Sequence, residues 1–205
     1  MTTGSAPAGV FGHLGYTVRR KVFSFLGQKF HIYDDTGALI GYSKQKAFKL
    51  KEDIRIYTDD TMTTELLSIK ARSVIDFSAT YDVFDPTAGG APLGSFRRKG
   101  WASTFFRDQW QVFSPQDQEI AQLDEDSGSM GFLRRYVPLV GIISPQAFHL
   151  TVGGQVVATM HTNRNPFVYK LSVNFTPQLS QVFDPRMALA GSILIAAIEG
   201  RQSSG

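Results

Sequence analysis

No cysteine occurs in the 205 residues. That one absence excludes disulfides, thiolate catalysis, cysteine-ligated zinc and thiolate-bound iron–sulfur clusters, so the fold must stand on packing alone. Net charge is small as well: 21 Lys and Arg against 18 Asp and Glu leave a formal net charge of +3, too small an excess to mark a nucleic-acid binder by itself. Catalytic signatures are missing too. There is no Gly-x-Ser-x-Gly elbow and no phosphate-cradling glycine loop. His13, His31, His149 and His161 are scattered, none at helical spacing with another ligand, and His31 and His149 read as strand side chains facing solvent or hydrogen-bonded at a barrel end rather than as metal ligands. A non-enzymatic protein with no cofactor and no metal is the expectation. Met1 to Gly15 is small and glycine-rich, without the basic stretch and apolar core of a secretory leader, so a cytoplasmic location is expected.

The chain is rich in strand patterns. Hydrophobic residues make up 42% of it and 16 Phe supply large surfaces to bury, enough for one domain of this length. Short alternating segments come in pairs, each closed by Asp, Gly, Pro or Thr. The pairs are Lys29 to Tyr33 with Leu39 to Leu50, Ile54 to Tyr57 with Leu66 to Ala71, and Thr80 to Phe84 with Leu93 to Arg98. Gln109 to Phe113 with Glu119 to Asp124 follows, and then Ala147 to Val152 with Gln155 to Thr162 around Gly153 and Gly154, the strongest two-residue hairpin signal. Phe167, Tyr169, Leu171, Val173 and Phe175 alternate with Val168, Lys170, Ser172 and Asn174, the period of a strand with one buried face.

Periodicity cannot separate a sandwich from a closed barrel. The C-terminus can. Asp184 and Pro185 open a helix, the carboxylate capping free amides and proline fitting the first position. Met187 to Ile198 then carries no charge on any face, so every side must be buried. The run is too short for a transmembrane span of roughly 20 apolar residues. Arg186 and Glu199 bracket it, and its small residues suit a helix threaded where strands approach closely.

Paired strands ending in a fully apolar helix resemble the tubby-like fold shared by tubby C-terminal domains, phospholipid scramblases and LURP-one-related proteins, the last two most closely. The resemblance lies in Phe30 to Gly41, in Gly94 to Trp101 with Arg107 to Val112, and in Ile120 to Ser127. It runs from about Tyr16 to Gly200. What it implies is a mainly β chain, a closed barrel of about twelve antiparallel strands around a buried hydrophobic C-terminal helix. Residues 1–15 are then a flexible N-terminal segment, 16–200 the barrel domain and 201–205 a tail. Tubby domains bind phosphoinositides and scramblases are associated with lipid movement. This chain departs from scramblases in two ways. Its stretch Asn174 to Asp184 has only Asp184 as an acid, a poor start for calcium, and no cysteine can be palmitoylated.

Three basic clusters are the candidates for function: Arg19, Arg20 and Lys21; Lys44, Lys46, Lys49 and Lys51; Arg97, Arg98 and Lys99. Gathered on one face they would attract an anionic lipid headgroup. The plainer reading is a solvated strand face whose lysines discourage aggregation. Met130 to Ile143 sets Arg134 and Arg135 among apolar residues; it reads as an interfacial helix or, more simply, as a connection packed over a barrel end, with Pro138 limiting any helix. The expected function is binding or scaffolding on anionic lipid headgroups, a membrane surface or a protein partner, and nucleic acid is not the expected ligand. A phospholipid scramblase-type membrane protein is the alternative.

Overall fold

A computed structural model describes residues 9–20, 29–45, 53–72, 79–99, 109–126, 146–163, 165 and 168–202, with side chains in the last helix as far as Ile198. Twelve antiparallel strands close into one barrel. They are β1 (Gly15–Arg20), β2 (Lys29–Asp34), β3 (Leu39–Gln45), β4 (Asp53–Tyr57), β5 (Glu65–Ala71) and β6 (Thr80–Asp85). Then come β7 (Ala91–Arg98), β8 (Gln109–Phe113), β9 (Glu119–Glu125), β10 (Ala147–Val152), β11 (Gln155–Thr162) and β12 (Lys170–Phe175). Each strand pairs with its sequence neighbours, and β1 pairs with β12 to complete the ring. The expected hairpins are all present, within a residue or two at their described ends. Residues 46–50, expected to continue the second strand of the first pair, lie outside the described residues, as do Lys21, Lys51, Met130 to Ile143 and Phe167. Lys46 and Lys49 fall in that stretch.

The barrel has two unlike rims. The lower rim holds the short hairpin turns, and five of its hairpins carry a register shift beside the turn, as between Ile32 and Tyr33 or Val112 and Phe113. Such bulges accompany a turn whose last residue is left-handed. Gly37 serves so in the first hairpin, but Met62 and Asp117 take the same conformation with φ of 57° and 60°. The upper rim holds the ends of β1, β3, β5, β7, β9 and β11 and the starts of the strands that follow them.

Inward side chains alternate along every strand. Val18, Phe30, Ile32, Ile54, Ile56, Leu67, Ile69, Phe96, Trp110, Leu123, Phe148 and Leu171 are all fully buried. A short helix α1 (Leu179–Val182), which the sequence pattern did not signal, leads into α2 (Pro185–Gln202). Every residue of α2 from Met187 to Ile198 is buried, apart from Gly191 each within 8% exposure, and the helix touches β1 and β12 on one wall and β5 and β7 on the opposite one. A helix buried all round by facing walls lies inside the barrel. The buried Ser192 hydroxyl donates to the Ala188 carbonyl at 2.9 Å, so the helix satisfies its own polar side chain. Each large apolar side chain here contributes about 1.5–3 kcal/mol by leaving water.

The entrance to the barrel is tied by charge. Asp184 accepts from the Arg186 amide at 2.9 Å, capping the helix as its sequence position suggests. The Arg186 guanidinium then bridges Asp184 at 2.6 Å and Asp85, at the lower end of β6, at 2.7 Å.

Candidate anion-binding face

In an antiparallel ladder, residues directly opposite one another point to the same side of the sheet. Val18 and Ile32 are inward and opposite each other, so Arg19, which faces both Lys170 of β12 and His31 of β2, points outward. His31 in turn faces Tyr42 of β3, its ring 5.5 Å from the Tyr42 ring. Lys29, two residues from His31 on β2, is also outward and faces Lys44. Four cations on β12, β1, β2 and β3 therefore share one outer face in its upper half.

Like charges set directly opposite on neighbouring strands destabilise a sheet by a few tenths to about 1 kcal/mol. Three such pairs stand here, Arg19 with Lys170, Lys29 with Lys44, and Lys44 with Arg55 of β4. None of the four on β12, β1, β2 and β3 makes an ion pair among the described residues. Among the described residues, the other outward guanidiniums are neutralised. Arg55 bonds Asp53 and Glu65, the latter at 2.8 Å; Arg72 grips Asp82 at 2.6 Å; Arg97 bonds Asp117 at 3.1 Å and lies 4.1 Å over the Phe113 ring. Those carboxylate contacts hold Arg55 and Arg72 above the ordinary arginine value, so their charge is permanent.

The described members of the three clusters read from the sequence do not share a face. Arg19 and Lys44 belong to the face just described. Arg97, Arg98 and Lys99 sit at the upper end of β7, six places round the ring from β1 in either direction, on the opposite wall. Nor are adjacent arginines equivalent. Arg20 and Arg98 continue the inward registers of Val18 and Phe96, half-buried at the rim, 5.9 Å over Tyr169 and 5.8 Å over Trp110. Lys99 is exposed. Arg134 and Arg135 lie outside the described residues. Sequence inspection passed over Lys29 and Lys170 because each stands alone in its strand and joins the face only through pairing.

Among the described residues, possible metal ligands meet at one place. His13, Asp34 and Asp35 bring ligand atoms within 4.8 Å of one another. Asp34 is already committed, one oxygen accepting from Thr36 and from the Ala38 amide at 2.9 Å, and the Thr36 hydroxyl above all holds its carboxyl below the usual aspartate value. This is the wiring of a turn, and no ion is assigned to it. Beside it, burial pushes the Tyr16 hydroxyl up to about 12, and that hydroxyl donates to the Val10 carbonyl at 2.9 Å, fixing the segment before β1 to the barrel.

Twelve antiparallel strands closed around a C-terminal helix, with no catalytic constellation among the described residues, define a tubby-like barrel. The chain belongs to the LURP-one-related family, whose sequence model matches residues 39–196. No curated protein matches the chain. No helix among the described residues is long and apolar enough to cross a membrane.

Proposed function

We propose that this barrel acts by binding, and that it seats an anionic lipid headgroup of the phosphoinositide type on the outer face of β12, β1, β2 and β3. One observation carries the reading. Arg19, Lys29, Lys44 and Lys170 stand side by side with no carboxylate partner among the described residues, while outward arginines elsewhere are paired. An arrangement that costs stability in the free protein is relieved when a polyanion arrives. The closed ring supports the choice of a surface, because without a free edge strand no partner can add to the sheet. A peripheral place at the membrane follows from this reading. The alternative of scramblase-type lipid translocation would need an element that enters the bilayer, and no described helix is long and apolar enough to cross one.

Co-sedimentation with phosphatidylcholine vesicles containing phosphatidylinositol bisphosphate tests the proposal. Each basic residue near an anionic surface contributes about 1 kcal/mol, so replacing all four by Gln should weaken binding about a thousandfold, and salt should weaken the wild type. A quadruple variant that pellets as well as the wild type ends the lipid reading. A wild type that fails to pellet at low salt does the same, and turns attention to an acidic protein partner.

A further inference from the structure

At its lower side the basic face opens into a cleft of about 400 Å³ whose lining includes Arg19, Lys170, Thr17, Tyr33, Asp34 and Asp35. Its charges are sorted by end. Arg19 and Lys170 are opposite each other at the upper end, and Asp34 and Asp35 stand together at the lower. Opposite charges in one small cleft would ordinarily pair, yet no ion pair joins the two ends. Asp34 has only His13 at 4.0 Å, and Asp35 has no cationic partner among the described residues.

The backbone keeps them apart. Asp35 lies over Gly15, where an added Cβ would come within 3.2 Å of the Asp35 Cβ, whereas Arg19 is four residues further along the same strand. Four residues of strand span about 13 Å. Ladders to β12 and β2 hold β1 on both sides, so the ends cannot close on one another. A ligand that satisfies both ends must itself carry both charges.

We propose that this cleft binds a zwitterion composed of a phosphate and a primary ammonium, with the phosphate on Arg19 and Lys170 and the ammonium on the exposed carboxylate of Asp35. The inference deepens the headgroup reading and rests on it for Arg19 and Lys170, while adding a cationic group to the ligand. Two adjacent cations, one the planar fork of an arginine, suit a phosphate oxygen set. At the other end the Asp35 carboxylate, with the Thr17 and Tyr33 hydroxyls nearby, offers acceptors for N–H donors. A quaternary ammonium has no N–H to give and is held instead by an aromatic cage. Tyr33 is the single ring in the lining, so the cleft is built for the primary amine. The same chemistry occurs in free phosphoethanolamine and in the headgroup of an aminophospholipid.

The test is a ¹⁵N-detected titration of the full chain with phosphoethanolamine, phosphocholine and inorganic phosphate. Phosphoethanolamine should bind tighter than the other two by about threefold or more, the scale of one exposed ion pair. Asp35→Asn should erase that preference and leave inorganic phosphate unchanged, while Arg19→Gln and Lys170→Gln weaken all three ligands. Equal binding of the three by the wild type, a preference that survives Asp35→Asn, or no shifts at millimolar ligand would each overturn the proposal. The wild-type comparison decides even if a variant is unstable. Lys29→Gln with Lys44→Gln, outside the cleft, should spare phosphoethanolamine and weaken phosphoinositide vesicle binding, so the two readings can fail separately. Vesicles of phosphatidylcholine with and without phosphatidylethanolamine then assign the source: selective pelleting indicates the lipid, and titration without pelleting the free molecule.

Discussion

Replacing Arg186 by Met probes the tie between the barrel wall and the start of α2. In the wild type the guanidinium bonds Asp85 at 2.7 Å and Asp184 at 2.6 Å. Asp85 is only 4% exposed, and its other oxygen accepts from the Thr87 amide at 2.8 Å and the Ala88 amide at 3.3 Å. Met fills much of the Arg stem's volume but leaves one buried carboxylate oxygen without a partner. Breaking a fully buried pair costs about 3–5 kcal/mol; since the Arg186 side chain is 35% exposed, water recovers part of that and about 2 kcal/mol is expected. For a chain of this size that lowers Tm by about 4–8 °C. The pH dependence is the sharper reading. Burial alone would raise the Asp85 carboxyl, but the Thr87 hydroxyl, the turn amides and Arg186 outweigh it and hold the group below the ordinary aspartate value. A carboxyl depressed in the fold contributes stability that is complete above its unfolded pKa of about 3.9 and is lost as pH falls through the folded value. Without Arg186 the depression shrinks, protonation starts at higher pH, and a protonated Asp85 is no longer an unpaired charge. Urea denaturation from neutral to acidic pH should therefore show a wide gap between variant and wild type at neutrality that narrows on acidification. A gap independent of pH, or an Asp85→Asn change whose cost simply adds to that of Arg186→Met, refutes the tie.

Gly94 holds φ at 148°, and a Cβ there would meet the Phe113 carbonyl oxygen at 2.3 Å, so Gly94→Ala should cost more than about 2 kcal/mol in thermal melts. At Gly191 the obstacle is the Phe96 ring at 3.0 Å, a side chain able to shift slightly; Gly191→Ala should cost about 1 kcal/mol and Gly191→Leu should prevent folding, as yield and circular dichroism would show. Ala190→Asp or Ala197→Asp places an unpaired charge at fully buried positions on the helix and should leave the chain insoluble; a folded, soluble product would contradict a helix inside the barrel. Arg97→Ala, losing the Phe113 stack and a bond to an exposed Asp117, should lower stability by up to about 1 kcal/mol and leave vesicle binding alone, whereas Arg19→Gln should do the reverse.

Local structure was legible in the chain because its signals are local. Gly153 and Gly154 both take positive φ in the two-residue turn they mark, and the alternation of Leu171, Val173 and Phe175 returns as alternating burial in β12. The uncharged run from Met187 to Ile198 required burial on every side, and a closed barrel supplies it. Tertiary pairing decided the rest. Nothing in the order of residues says that β1 closes on β12, and only that closure sets Lys170 beside Arg19. The tie between Asp85 and Arg186 spans 101 residues. Arg19 and Arg20, adjacent in sequence, were read as one cluster, yet the pleat sends one to solvent and the other to the rim of the core. Sequence determined eleven of the twelve strands, their turns and the buried helix, because those follow from the period of apolar residues and from turn chemistry, though it signalled neither β1 nor α1. Which charges end up alone, and which face one another, was decided only when twelve strands took their places around the helix.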